Sequence, residues 1–477
     1  MANTFLFDSS FCTGCKACQV ACKDKNQLPA GILWRRVYEV SAGTWQKDDG
    51  AWTNDVYAYN ISMACNHCEY PICAGVCPTN AYIILPNGIV HLDTERCTGC
   101  GYCSWACPYG APQFNLQTGT MTKCDFCEDY LEQGIPPACV SACPMRSLEF
   151  AELPGLESQP GYTQEIPPLP DPASRNPRFF IKPHSAVEQA NQGYPQIANR
   201  EEVNTRLVGR FEEASLVAFT LLAQMAVGAF WEVTGLFGLV TRGYGDLGRY
   251  QSSTPILFSI GVLISLSLFL SFWHLGNPRN AWRVLAHLRK SWLSREILFT
   301  SLFAGLWVLS ILLVFGHDGG MMPLFLNITT SVCGLAAIWS MSKVYHLHTV
   351  PVWNTWRTPV AFFTSTFLLG FLWVRLIRFF TIPILSKYLT VTVSTGLITA
   401  FFLLIALILA LISETEKFRR TSRLRVGLIV LGLLVSIVLA LLPGVFGNWM
   451  IIPLFVLATL EETIGRDLFY QSRSQVF

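Results

Sequence analysis

Seventeen cysteines stand in this chain, and sixteen of them fall between Cys12 and Cys143. They form four groups. Cys12, Cys15, Cys18 and Cys22 are separated by two, two and three residues, and Cys97, Cys100, Cys103 and Cys107 repeat that spacing. Cys65, Cys68, Cys73 and Cys77 have two, four and three residues between them, and Cys124 and Cys127 are followed later by Cys139 and Cys143. Proline follows Cys77, Cys107 and Cys143 directly. Such crowding serves either disulfides or metal ligation. Disulfides need an oxidising compartment. The opening Met1–Asp8 reaches an acid before an apolar run forms, so no secretory signal is expected. Arg35-Arg36 is followed by Val37-Tyr38-Glu39, again with no apolar run.

Structural zinc uses paired CxxC knuckles across a long spacer and has no use for a third cysteine so close. Three near thiolates, with a fourth three residues on that serves a neighbour, are the pattern that holds a 4Fe–4S cluster. Sixteen thiolates then make four clusters. The middle two groups are joined by a short β-type stretch and should exchange their last cysteines; the outer two exchange theirs. The expected ligand quartets are A, Cys12, Cys15, Cys18 and Cys143; B, Cys22, Cys124, Cys127 and Cys139; C, Cys65, Cys68, Cys73 and Cys107; and D, Cys77, Cys97, Cys100 and Cys103. No ligand is left for substrate, so this part conducts electrons and carries no catalytic residue.

The elements that position these cysteines occupy less than half of the 477 residues. Residues 1–150 mix Pro and Gly with β-type runs such as Asp55–Ile61, an α+β, ferredoxin-like composition. Residues 151–212 are Pro-rich and polar and read as an extended linker. From 213 to 477 long apolar runs take over. Overall 51% of residues are hydrophobic and only 14% charged, a shift towards membrane. A span needs about 20 mostly apolar residues. Eight candidates emerge, an all-α membrane bundle: 214–240, 255–274, 296–316, 322–342, 359–377, 389–412, 426–446 and 448–463, the last short and interrupted by Pro453. The net charge of +2 gives no reason to expect nucleic acid.

The stretch Cys12 to Cys143 resembles the iron–sulfur subunit of the dimethyl sulfoxide reductase family. The resemblance rests on Cys12-Thr13-Gly14-Cys15-Lys16, Cys65-Asn66-His67-Cys68-Glu69, Ala106–Gln113 and Met121-Thr122-Lys123-Cys124-Asp125. His274–Pro278, Ser291–Glu296 and Thr349–Pro359 resemble the membrane-anchor subunit of the same enzymes. Those are usually two chains; here they are fused. The resemblance implies a separate catalytic subunit carrying a molybdenum bis-pterin cofactor. It also implies a cluster order, with quartet D nearest the membrane and quartet A nearest the catalytic subunit.

A conductor joined to a membrane domain needs a carrier of two electrons and two protons, a quinone of the menaquinone or ubiquinone type. Histidine titrates in the useful range, and ionisable groups at helix ends are functional candidates. His274 ends the second candidate helix, and Glu296 opens the third beside Arg295. The resemblance assigns the positions of His274 and Glu296 to the quinol site. The plainer reading is a helix-capping His274 and a Glu296 favoured by the helix dipole. Haem needs histidine pairs inside helices, whereas His274, His317, His346 and His348 lie near helix ends, so no haem is expected. Cys333 reads as packing.

Fourteen Lys and Arg lie in the loops on the side of the cysteine-rich domain, among them Arg279, Arg283, Arg289, Lys290, Arg295, Lys417 and Arg425; five lie opposite: Arg242, Arg249, Arg375, Arg378 and Lys387. The positive-inside rule then places the clusters in the cytoplasm, on an inner (plasma) membrane protein. That orientation looks like the cytoplasm-facing sulfite dehydrogenases, with electrons running from sulfite to quinone. Reduction of a sulfoxide or N-oxide uses the same parts. A regulator or transporter bearing clusters would instead need a path of charges in mid-helix, for which Arg375 and Arg378 are the near candidates.

Overall fold

A computed structural model describes residues 2–153, 161–167, 169–187, 196–197, 205–234, 254–316, 324–381, 388–413, 419–441 and 449–472. His317, Arg242, Arg249, Lys387, Lys417 and Arg473 lie outside the described residues, as do the loop ends that carry them. The chain divides into two compact units. One comprises Met1–Arg206 with Leu275–Ser291, the other Leu207–His274 with Trp292–Ser474.

In the first unit, strand Ala2–Asp8 is central to a three-stranded sheet. It runs antiparallel to Leu148–Leu153, with Phe7 opposite Leu148, and parallel to Phe179–Lys182, with Phe5 opposite Phe179. The run Phe5-Leu6-Phe7 is buried, and Phe5 stacks on Phe126 at 4.0 Å. A second sheet pairs Arg36–Ala42 with Tyr57–Met63, where alternation places Val40, Tyr59 and Ile61 in the core. Two short hairpins, Tyr82–Ile84 with Val90–Leu92 and Gln113–Asn115 with Thr120–Thr122, each lie between a Cys-Pro turn and the next CxxC. The duplicated spacing of the sequence is thus a duplicated turn–hairpin–turn.

The segment read as a linker does more than connect. It supplies strand Phe179–Lys182 and buries Ile166, Phe179, Ile181, Ala186 and Val187 in the core. Its prolines hide this, because Phe179-Phe180-Ile181 is too short to stand out beside them.

Among the described residues the second unit holds eight long helices: Thr205–Thr234, Thr254–Trp273, Trp292–Gly316, Leu324–Val344, Arg357–Thr381, Tyr388–Ile412, Arg419–Leu441 and Ile451–Gln471. Among the described residues, seven are long and apolar enough to cross a membrane. Seven such helices accord with the expectation of about eight spans; Ile451–Gln471 is the one that apolarity does not single out. It is a full 21-residue helix, longer than 448–463, but it carries Glu461, Glu462, Arg466 and Asp467. Burial against the other helices replaces apolarity: Glu461, Glu462 and Arg466 are all shut away from solvent. The outward faces are apolar instead, with Phe258, Phe269, Leu309, Phe325, Phe401 and Leu441 exposed. The first and fifth helices cross at Gly228 and Gly370, where a Cβ on Gly370 would lie 2.3 Å from Gly228 backbone.

Candidate functional site

The cysteine loops share one backbone device. The second residue after the leading cysteine of each group has a left-handed φ: Gly14 at 68°, His67 at 43°, Gly99 at 70° and Phe126 at 64°. The kink wraps the loop so that successive backbone N–H groups and sulfurs face one centre. Glycine adopts it freely; His67 and Phe126 do so at a cost of about 1–3 kcal/mol each, the kind of strain found at functional sites. The Cys-Pro turns repeat as well. Asn80, Gly110 and Arg146, each three residues past a cysteine, donate their N–H to the carbonyl of Cys77, Cys107 and Cys143, and all three have positive φ.

These turns collect the sixteen thiols into four neighbourhoods. Cys12 is within electrostatic reach of Cys15, Cys18 and Cys143. Cys22 faces Cys127 and Cys139, and Cys124 faces Cys22. Cys73 faces Cys65, Cys68 and Cys107. Cys103 faces Cys77, Cys97 and Cys100. Neighbourhoods adjoin in a line: Cys18 faces Cys139, Cys124 faces Cys65, and Tyr82 faces both Cys73 and Cys103. The order is A, B, C, D. Cys15 of quartet A is exposed, whereas Cys22, Cys124, Cys127 and Cys139 of quartet B are all buried.

The donor set suits an iron–sulfur group. A cavity is lined by Cys65, Cys68, Cys73 and Cys107, with Lys123 and Arg175 in its wall. Backbone N–H groups point at sulfur: Gly99 to Cys97 Sγ at 3.3 Å, Ala81 to Cys77 Sγ at 3.4 Å and Phe126 to Cys124 Sγ at 3.4 Å. Such bonds favour thiolate and are a lever on cluster potential. Burial alone opposes thiolate, pushing Cys22 and Cys100 up to about 12 and Cys107 and Cys127 to about 11. A polycationic iron core offsets that penalty by binding the deprotonated form. Among the described residues, no three His, Cys, Asp or Glu side chains are drawn close enough together for a single metal ion. A multi-iron core asks for wider spacing.

Buried cations stand beside the thiols, and sequence reasoning missed them. Arg35, 1% exposed, reaches Cys18 of quartet A and Cys22, Cys124 and Cys139 of quartet B. It donates to Ser62 O at 3.3 Å and lies 4.5 Å over the Phe5 ring, while its Nε and Nη2 have no partner among the described residues. Lys123 reaches Cys73 and donates to the carbonyls of Val90 and Cys124. Arg175 reaches Cys68 and Cys107. The signal was faint: Arg35 sits at the edge of a plain β run, and only its burial makes it special.

Segment Leu275–Ser291 joins the second and third long helices in sequence, yet it folds into the first unit, against quartet D. Asn277 N donates to Thr98 O at 2.9 Å, and Asn280 Nδ2 to Cys97 O at 3.0 Å. His287 Nδ1 lies 2.9 Å from Cys77 O, and Ser291 Oγ donates to Val76 O at 2.7 Å. Only glycine fits at Gly276, where a Cβ would meet Gly119 O at 2.2 Å.

In the second unit His274 is half-buried, and its Nδ1 has no partner among the described residues. The third helix begins at Trp292, so Glu296 does not open it but lies one turn inside, buried. Arg295 is half-buried, its guanidinium 4.2 Å over the Trp292 ring. Glu296 faces Tyr345 and Tyr470, whose hydroxyls meet at 2.6 Å. The described contacts do not join His274 to Glu296. Arg375, near a helix end as expected, pairs with Glu232 at 2.8 Å; buried charges that the sequence reading did not single out are Glu461, Glu462 and Arg466, with the half-buried Arg425 bonded to Glu461. Their signal was present in Glu462 and Arg466, four residues apart on one helix face.

Comparison with known proteins agrees with both halves. The family model for the DMSO reductase anchor subunit (DmsC) matches residues 208–471, and a 4Fe-4S dicluster domain model matches residues 56–153. The sequence is 44% identical over 199 residues to the probable anaerobic dimethyl sulfoxide reductase chain YnfG of Escherichia coli K12, covering 42% of this chain and 97% of that protein. The thiosulfate reductase electron transfer subunit PhsB of Salmonella typhi is 43% identical over 155 residues, 32% of this chain and 78% of that protein.

Proposed function

Because the chain belongs to the DMSO reductase anchor-subunit family, and carries that family's iron–sulfur subunit fused ahead of the anchor, we propose that it passes electrons through four 4Fe–4S clusters between a separate molybdenum bis-pterin subunit and membrane quinone. The observation that carries this reading is the line of four thiol neighbourhoods, A to D. Each 4Fe–4S group, when bound, supplies one-electron relay chemistry.

The chain's own residues do the rest. Quartets A to D provide the sixteen thiolates, and backbone N–H groups and Arg35, Lys123 and Arg175 hold their negative charge in a buried setting. The exposure of Cys15 supports quartet A as the terminal facing the catalytic partner. Segment Leu275–Ser291, which continues from His274 in the chain, bonds quartet D, which supports D as the terminal for electrons exchanged with quinone. His274, Glu296 and Arg295 are the residues assigned to the quinone headgroup, where His274 exchanges a proton at Nδ1. The surplus of Lys and Arg on one side orients the cluster unit to the cytoplasm of an inner membrane.

The test is purification of the membrane complex, with metal analysis and substrate-driven reduction. Molybdenum in a large partner subunit is expected, with reoxidation of quinol-reduced clusters by a sulfoxide or N-oxide. A chain that purifies alone, without molybdenum, would contradict the assignment. The surplus of cations on the cluster side favours a second reading, sulfite:quinone oxidoreductase. In that case sulfite alone reduces the clusters.

A further inference from the structure

Five helices of the membrane unit, with the turn that follows the fourth, send polar side chains to one buried line. Tyr345 Oη and Tyr470 Oη are 2.6 Å apart, and Glu296 lies within electrostatic reach of both. Thr220, whose hydroxyl donates to Leu216 O at 3.0 Å, lies beside Tyr470. One turn deeper, Arg466 Nη2 donates to Gln224 Oε1 at 3.0 Å and to Ser365 Oγ at 3.4 Å, with its guanidinium 3.8 Å over the Phe362 ring. Ser365 Oγ donates to Glu462 Oε2 at 2.7 Å. Glu461, next to Glu462, accepts from Arg425 Nε at 3.2 Å and keeps a buried Oε1 with no partner among the described residues.

Helix counting puts every member at one end of the bundle or partway in. Glu462 lies about 14 Å along its helix from Gln471, at 1.5 Å per residue. Ser365 and Gln224 lie at similar depth from Arg357 and Ala214. Past that depth the line stops. The first and fifth helices close on each other at Gly228 and Gly370, and the next charges, the half-buried Glu232 and Arg375, pair with each other.

Buried carboxylates and a guanidinium are expensive in a membrane helix, and apolar side chains would pack the same space more stably. Their placement beside a candidate quinone site supplies the missing purpose. We propose that Glu296, Tyr345, Tyr470, Thr220, Ser365 and Glu462 form a proton relay that serves the quinone reaction and ends blind at mid-bundle, with Arg466 as the fixed cation that makes Glu462 a proton store. This rests on the quinone reading given above. Each quinol oxidised releases two electrons and two protons. The electrons leave to the cluster quartets; one proton leaves through His274, and the other passes from the headgroup to Glu296 and along the hydroxyls towards Glu462, returning by the same groups to solvent before the next turnover. In quinone reduction the same steps run backwards. The closed crossing at Gly228 and Gly370 means the relay buffers protons and does not pump them across.

The experiment uses the whole complex, with quinol-driven cluster reduction followed by rapid mixing. Glu462→Gln should slow the maximal rate about tenfold or more, within the range of a lost proton-transfer group. The quinol KM should be unchanged, the solvent deuterium isotope effect should rise, and small weak acids such as formate should restore part of the rate. All four clusters should remain assembled. Where Glu462→Gln does not assemble, Tyr345→Phe and Tyr470→Phe test the same line by removing one hydroxyl each. Unchanged rate and isotope effect in an assembled variant overturn the relay while leaving the quinone site standing. A wild-type complex whose clusters quinol cannot reduce overturns the quinone reading itself, and the relay with it.

Discussion

Both units bury charge, and they do so by opposite means. In the cluster unit the charged groups are cysteines placed by local turns. Each leading cysteine is followed two residues later by a left-handed kink, and each Cys-Pro turn closes three residues on. Spacing in the sequence is therefore spacing in the site. In the membrane unit Glu296, Tyr345, Ser365, Glu462 and Arg466 come from four different helices or their ends, up to 170 residues apart in the chain. Nothing local announces them. The first unit's chemistry belongs to short-range geometry, the second's to helix packing.

The largest expected effect separates the quartets. Cys100→Ser should abolish quinol-driven electron flow and change the paramagnetic signal of one cluster, leaving three intact. Loss of all four signals would mean that the quartets do not assemble independently.

Next comes the segment that quartet D shares with the helix connection. Gly276→Val forces a Cβ to within 2.2 Å of Gly119 O. Overpacking of this kind costs about 1–3 kcal/mol, so the segment should become protease-sensitive and the signal of the D cluster should broaden. An unaltered digestion pattern would show that the grip on D is dispensable.

Third is the quinone end. His274→Ala should slow quinol-driven reduction about a hundredfold, the range for a lost acid–base group, with four clusters retained. Normal kinetics would remove His274 from the site.

The smallest effect is on potential. Arg35→Met removes a buried cation that reaches thiols of quartets A and B alike. Two clusters should move together to more negative potential, by about 59 mV each if the equilibrium changes tenfold for a one-electron couple. A shift confined to one cluster would show that Arg35 serves a single quartet.

How much was legible follows from the same contrast. The four cysteine groups, the α+β cluster domain and most helix positions were readable, because ligand spacing and 20-residue apolar runs are local signals. The eighth helix was the hardest to read, because its charges Glu461, Glu462 and Arg466 are buried against neighbouring helices. Strand Phe179–Lys182 was lost inside a proline-rich stretch whose meaning depends on pairing with Ala2–Asp8. Arg35 was passed over because a lone arginine beside a strand is usually solvated. Glu296 was placed at a helix start because the apolar run begins after it, whereas the helix starts at Trp292.

The most direct test of the account is electron paramagnetic resonance on the purified complex as menaquinol is added anaerobically. The account predicts four 4Fe–4S signals, reduced by quinol and, in His274→Ala, present but slow to fill. Fewer than four clusters, or four that quinol leaves oxidised at every potential it can reach, would contradict a four-cluster conductor ending at quinone.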